Sequence, residues 1–149
     1  MSKVEYIIDI RTISEANSRG HWTKNLGLHQ DQKFLAETQT RHALESLPAD
    51  HELRAPEAAI NILFVRHSRG VMDSDNLPAA IKYIRDGVAD ALAPGLAPGR
   101  ADGIGRFSWT YQQRKAKGLS SIHVILSAYH VPQIKTLDNR ALFLPTAKS

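Results

Sequence analysis

The chain has 149 residues, 19 Lys and Arg against 15 Asp and Glu, 42% hydrophobic residues and no cysteine. That length suits one domain able to bury a real core. Zero cysteines exclude a disulfide framework, thiolate zinc sites and a Cys nucleophile, and are compatible with a reducing cytosol.

Met1 to Ile10 carries Lys3, Glu5 and Asp9, so it reads as neither a secretory signal nor a membrane span. Within it, Val4, Tyr6, Ile8 and Ile10 alternate, which predicts a strand. The polar run Ser14 to Asn25 reads as a loop. From about Leu28 to Leu47, Phe34, Leu35, Leu44 and Leu47 amid charged residues suggest an amphipathic helix ended by Pro48. Ala58 to His67 is read as a strand buried over most of its length. A second helix is expected from Asn76 to about Leu92, where Leu77, Ile81, Ile84, Val88 and Leu92 form a core-facing stripe. Asp75 is placed as its N-cap, with Pro78 in the first turn. Residues 93–105 are Pro/Gly-rich loop. Phe107, Trp109 and Tyr111 then alternate in a strand, expected to form an antiparallel hairpin with Ile122–Tyr129. The tail 130–149 has no clear period and reads as less ordered. The order β-α-β-α-β-β predicts a single α+β domain with a mixed sheet over 1–149.

Charge is sorted along this plan. Residues 1–72 hold nine bases and nine acids, whereas 73–149 hold ten bases and six acids, five of the six falling before residue 103. The informative stretch is Met72-Asp73-Ser74-Asp75-Asn76-Leu77. In extended backbone the two carboxylates face one side, and a divalent cation relieves their repulsion. Mg²⁺ takes one or two carboxylates and keeps waters for phosphate oxygens. Asp102, in the loop beyond the helix, is a candidate third acid. The plain alternative is that Asp75 caps the helix, both acids favour its dipole and Asp102-Gly103 is an ordinary turn. At 100° per residue, Asp75, Ala79, Lys82 and Asp86 share one helix face. Lys82 is thus a candidate phosphate ligand, or the partner of Asp86 in a surface ion pair.

Asp-x-Asp-Asn-Leu, a helix with a lysine and Arg85-Asp86-Gly87-Val88, then a loop aspartate, resembles the RusA family of Holliday junction resolvases. The likeness extends to Ser14-Glu15-Ala16-Asn17 with Trp22, and to Trp109–Lys115. It implies a homodimeric, Mg²⁺-dependent endodeoxyribonuclease of recombination and repair, with Mn²⁺ as a substitute ion. The implied setting is bacterial cytosol, often phage or prophage. By resemblance Asp73, Asp75 and Asp102 bind the metal, Lys82 is the lysine needed for cleavage, and Asp86, preferred over Asp90, is the helix acid. The chain departs from the family at Ala101-Asp102, where two adjacent acids are usual. Its lysine also stands one turn later than in the best-known members, which place theirs where this chain has Ala79.

Arg66, Arg69, Arg106, Arg114, Lys115 and Lys117 are candidate phosphate contacts around the acids, giving affinity without sequence readout. Arg19 and Trp22 are candidate junction contacts, Trp22 by stacking or wedging or else by plugging the sheet edge. No phosphate-binding loop for a nucleotide cofactor is present. The branched-DNA endonuclease reading has two rivals. One is a catalytically silent branched-DNA binder of phage origin, the other a protein-interaction module whose acids only cap a helix.

Overall fold

Strand β2, Ile60–Ser68, is the most continuously buried strand, and it takes an inner position in the sheet. The computed structural model describes residues 2–9, 22–96, 101–118 and 120–129, without the side chains of 22–28 and Asp102. The other strands are β1 (Lys3–Ile8), β3 (Phe107–Lys115) and β4 (Ser121–Ala128), in the spatial order β1-β4-β2-β3. β2 pairs in parallel with β3 and antiparallel with β4, and β4 pairs antiparallel with β1. Helices α1 (Trp22–Glu45) and α2 (Leu77–Leu92) pack on this four-stranded mixed sheet as one α+β domain. The order β-α-β-α-β-β is the one expected.

The expected β3–β4 hairpin does not form. β2 stands between those strands and binds both, since a strand buried on both edges satisfies all its backbone groups. β3 and β4 therefore stand two strand spacings apart, roughly 10 Å. Past the end of β3, Ala116 N–H donates to the Ser68 carbonyl at 2.9 Å and holds the chain against the end of β2.

Period-two alternation explains the core. Ile62, Phe64, Ile122, Val124, Leu126 and Ile8 point to the helices and are fully buried. They join Leu77, Ile81, Ile84 and Val88 of α2, the stripe read from the sequence. The opposite sheet face is mixed: Glu5, Ile7, Thr110, Gln112 and Arg114 are exposed there.

Helix α1 departs most from expectation. It starts six residues earlier than predicted, so Trp22 opens a helix instead of lying in a loop, and it ends before Pro48, at Glu45. Phe34 is 71% exposed, while Gln32, Ala36 and Thr40 form the buried row. A row of small and polar residues lets α2 approach closely. A Cβ on Gly87 would lie 2.3 Å from the Lys33 carbonyl oxygen and 2.9 Å from the Ala36 Cβ. Thr40 donates its hydroxyl proton to the Ala36 carbonyl at 2.7 Å, so the Tyr6 hydroxyl is the donor in its bond to Thr40 Oγ1. No described helix is long and apolar enough to cross a membrane.

Two outcomes follow. Gly87→Ala gains helix propensity of about 1 kcal/mol but forces two backbones apart. It should lower stability by a net 1–3 kcal/mol or so, read as a lower urea midpoint. Burial pushes the Tyr6 phenol well above the ordinary tyrosine range. The folded chain therefore keeps a proton that the unfolded chain loses above its ordinary value of 10.0. This contribution is complete below that pH and is lost as pH rises beyond it. Stability of the native chain should fall more steeply above pH ~10 than that of Tyr6→Phe, in denaturant titrations across pH.

Candidate functional site

The chain leaves β2 at Ser68 and reaches α2 through residues 69–76, a segment tied down at several points. Arg66 is 8% exposed, and its Nη1 donates to the Gly70 carbonyl at 3.0 Å. Burial lowers its guanidinium pKa. Arg66 thus shapes the loop from inside and is not part of an exposed rim, a correction to its reading as a phosphate contact. Two residues further on, Gln113 of β3 clamps Met72. Its amide donates to the Met72 carbonyl at 2.6 Å, and its carbonyl accepts from the Met72 N–H at 3.1 Å. A neutral amide satisfying both backbone groups is a strong positional tie.

Asp73 follows directly. Its carbonyl accepts from the Asn76 N–H at 2.9 Å, closing a turn over 73–76. Asp73 and Asp75 are therefore in a turn, five residues or more past the end of β2, and strand alternation does not govern them. The N-cap of α2 is Asn76, not Asp75, and it makes no side-chain capping bond. Both carboxylates are exposed, and among the described residues neither has an ion-pair or hydrogen-bond partner.

The acids further along α2 are matched by bases. Asp90 pairs with Lys33 of α1 at 3.2 Å. Asp86, with a side chain only 10% exposed, pairs with Lys82 at 3.3 Å. Of the two readings of Lys82, the ion pair is the one formed. Its Nζ also lies 4.8 Å from the Tyr83 ring centroid, and Tyr83 in turn stacks on His29. Lys82 stays 59% exposed. It stands about two helical turns from the Asp75 end, with Pro78 and Ala79 between them on that face.

Asp102 lies in a one-turn 3₁₀ helix, Ala101–Gly103, which packs on α2. Successive turns, Ile104 N to the Ala101 carbonyl and Phe107 N to the Ile104 carbonyl, lead it into the start of β3. Met72 is tied to Gln113, six residues beyond Phe107 and roughly 20 Å along the strand, so the backbone of Asp102 enters at the end of the sheet opposite Asp73 and Asp75. The Asp102 side chain is outside the described residues, as are Arg19 and its segment. Among the described residues no group of three or more His, Asp and Glu could hold a metal ion.

The bases fall in three places. Arg69, Lys115 and Lys117, with Ala116, line a shallow groove at the exit end of β2 and β3, the end that carries Asp73 and Asp75. Arg114 is exposed on the sheet's open face. Arg106 lies before β3, at the far end, with its guanidinium 5.0 Å from the Phe107 ring centroid.

Sequence reasoning missed Arg85 and Gln113. Arg85 donates to the Tyr111 hydroxyl at 2.9 Å and lies 4.9 Å from the Trp109 ring centroid. It fixes the middle of α2 against β3. Gln113 had a signal: it continues the inward Phe107-Trp109-Tyr111 series, and an inward polar group requires a partner.

Gln113→Leu removes two hydrogen bonds to Met72. It should cost about 1–3 kcal/mol and raise amide hydrogen exchange at 72–76 relative to the β2 core. No protein-family model, curated protein or solved structure matches this chain.

Proposed function

We propose that the chain is a RusA-like, Mg²⁺-dependent endonuclease that cuts four-way DNA junctions by phosphodiester hydrolysis in recombination and repair. The setting is a bacterial cytosol, in a phage- or prophage-type member. The observation that carries the reading is a juxtaposition at one end of the sheet. Two exposed, unpartnered carboxylates, Asp73 and Asp75, follow a clamped backbone and stand at the same end as the Arg69/Lys115/Lys117 groove.

The donor set fits a hard divalent ion. Carboxylate oxygens in a solvated turn, with no protein cation on them, suit Mg²⁺ or Mn²⁺, which retain waters beside one or two carboxylates. Asp73 and Asp75 would hold the ion; Asp102, the third ligand by resemblance, enters at the opposite end of the sheet and is not part of this set. When bound, it supplies positive charge to the scissile phosphate and acidifies water for hydrolysis.

The chain's own residues account for the rest. Arg69, Lys115 and Lys117 neutralise backbone phosphates on approach, giving affinity that falls with salt. Arg114 extends this charge along the edge strand. Lys82 exchanges its bond to Asp86 for an oxygen of the transferring phosphate, offsetting charge there. A homodimer presents two such sites to opposed strands of one junction. A second reading, a catalytically silent junction binder, is favoured by one observation: Lys82 is held by Asp86.

Asp75→Asn should bind a synthetic four-way junction as well as the native chain, or more tightly. Its cleavage in Mg²⁺ should fall at least a hundredfold. Gel shift and nicking assays on the same samples read both. A variant cutting at the native rate overturns the site assignment. A native chain that shifts junctions but nicks none in Mg²⁺ or Mn²⁺ establishes the silent binder.

A further inference from the structure

At the end of α2 remote from Asp73 and Asp75, a cavity of about 690 Å³ opens between the two helices and the chain entering β3. We propose that this cavity binds a small amphipathic anion: a carboxylate or phosphate head on an apolar body. Its size falls in the range of small-molecule sites, and its walls have the same character, mostly apolar with a few convergent polar groups. Leu44 of α1, Leu53 of the 3₁₀ turn Glu52–Arg54, Leu92 of α2 and Ile104 supply the apolar walls.

Three guanidinium groups, from Arg41, Arg54 and Arg106, line the same cavity against one carboxylate, Glu45. The surplus is positive. Internal partners use only part of their donor capacity. Arg41 Nη2 bonds Glu37 at 2.6 Å, and Arg54 Nη1 donates to the Leu47 carbonyl at 2.9 Å. A guanidinium has five N–H donors, so each keeps several. Arg106 is the sharpest case: its Nε is buried and has no hydrogen-bond partner. No described residue accepts from its terminal nitrogens either, and these are the donors an oxyanion in the cavity would meet, the sealed Nε lying out of its reach. Arginine's planar fork matches carboxylate and phosphate oxygens. The apolar walls in turn require a ligand that is more than its head.

The site is separate from the proposed nuclease centre. α2 has 16 residues, about 24 Å of helix, and it carries the acids before its first turn and the cavity wall at its last.

Isothermal titration of the full chain tests the proposal, with octanoate and octyl phosphate as probes and octanol and inorganic phosphate as controls. At least one probe should bind tenfold or more tightly than both controls, and the better probe identifies the head group. Arg106→Gln should weaken that binding at least tenfold. Arg54→Gln, at an exposed position, should weaken it severalfold and serves where Arg106→Gln fails to fold. Ala55→Trp fills the cavity without removing a guanidinium and should abolish binding. Asp75→Asn should leave it unchanged. Equal affinity for octanol, no binding of either probe, or unchanged binding in the folded arginine variants and Ala55→Trp overturns the proposal. Loss of binding in Asp75→Asn also overturns it, because the anion would then be responding to the other end of the molecule.

Discussion

Helix α2 carries the candidate lysine and follows the candidate acids, so its position decides where the chemistry can occur. That position rests on the contact at Gly87, where the backbones of α1 and α2 approach too closely for any side chain. Leu77, Ile81, Ile84 and Val88 hold the opposite side of α2 on the sheet. Burying four such side chains stabilises by an upper bound of roughly 6–12 kcal/mol. The partly exposed Lys33–Asp90 pair contributes under about 1 kcal/mol. Packing therefore sets the helix axis, and the charges only decorate it. Arg85 fixes the remaining rotation by reaching Tyr111 and the face of Trp109 on β3.

The same comparison of magnitudes bears on Lys82. Its pair with Asp86 has one well-exposed partner, and such pairs are worth about 1 kcal/mol or less. A phosphate oxygen brought to the same face competes with a carboxylate on nearly equal terms. The ion pair and the proposed phosphate-binding role are thus compatible, as two occupancies of one exposed side chain. Asp86 does not compete with Asp73 and Asp75 for a cation, because it is already sunk beside Lys82 and the α1 contact.

Much of this was legible in the sequence, and the failures have physical causes. The α2 stripe and the alternation of β2 and β3 were readable because each buries a regular row of large apolar residues. The helix α1 was legible but its buried face was not, because its buried row is Gln32, Ala36 and Thr40, selected for closeness to Gly87 and for bonding Tyr6, while Phe34 faces outward. The strand order was hidden because adjacent strands in sequence usually pair, and only the burial of β2 on both edges argues otherwise. At the site, the acids could be located, but not their backbone. Strand geometry was carried past Ser68, where the turn bonded from Asn76 to Asp73 replaces it. Arg66 looked like an exposed base, yet it occupies an inward position of β2, level with Ile122 and Gln113 in the sheet.

That inward row explains how solvated acids can belong to an ordered site. Ile8, Ile122, Arg66 and Gln113 lie side by side across the four strands on the helix-facing side. The first two close the core, and the last two turn its polar margin into ties on Gly70 and Met72. The backbone entering Asp73 is therefore fixed by the register of the sheet, while the carboxylates remain in water. A one-residue slip of β3 would turn Gln113 to the open face and release Met72. Acids entered by a backbone held this way need little reorganisation to receive a cation. The register of β3 on β2 is thus the link between the fold and any chemistry at the acids.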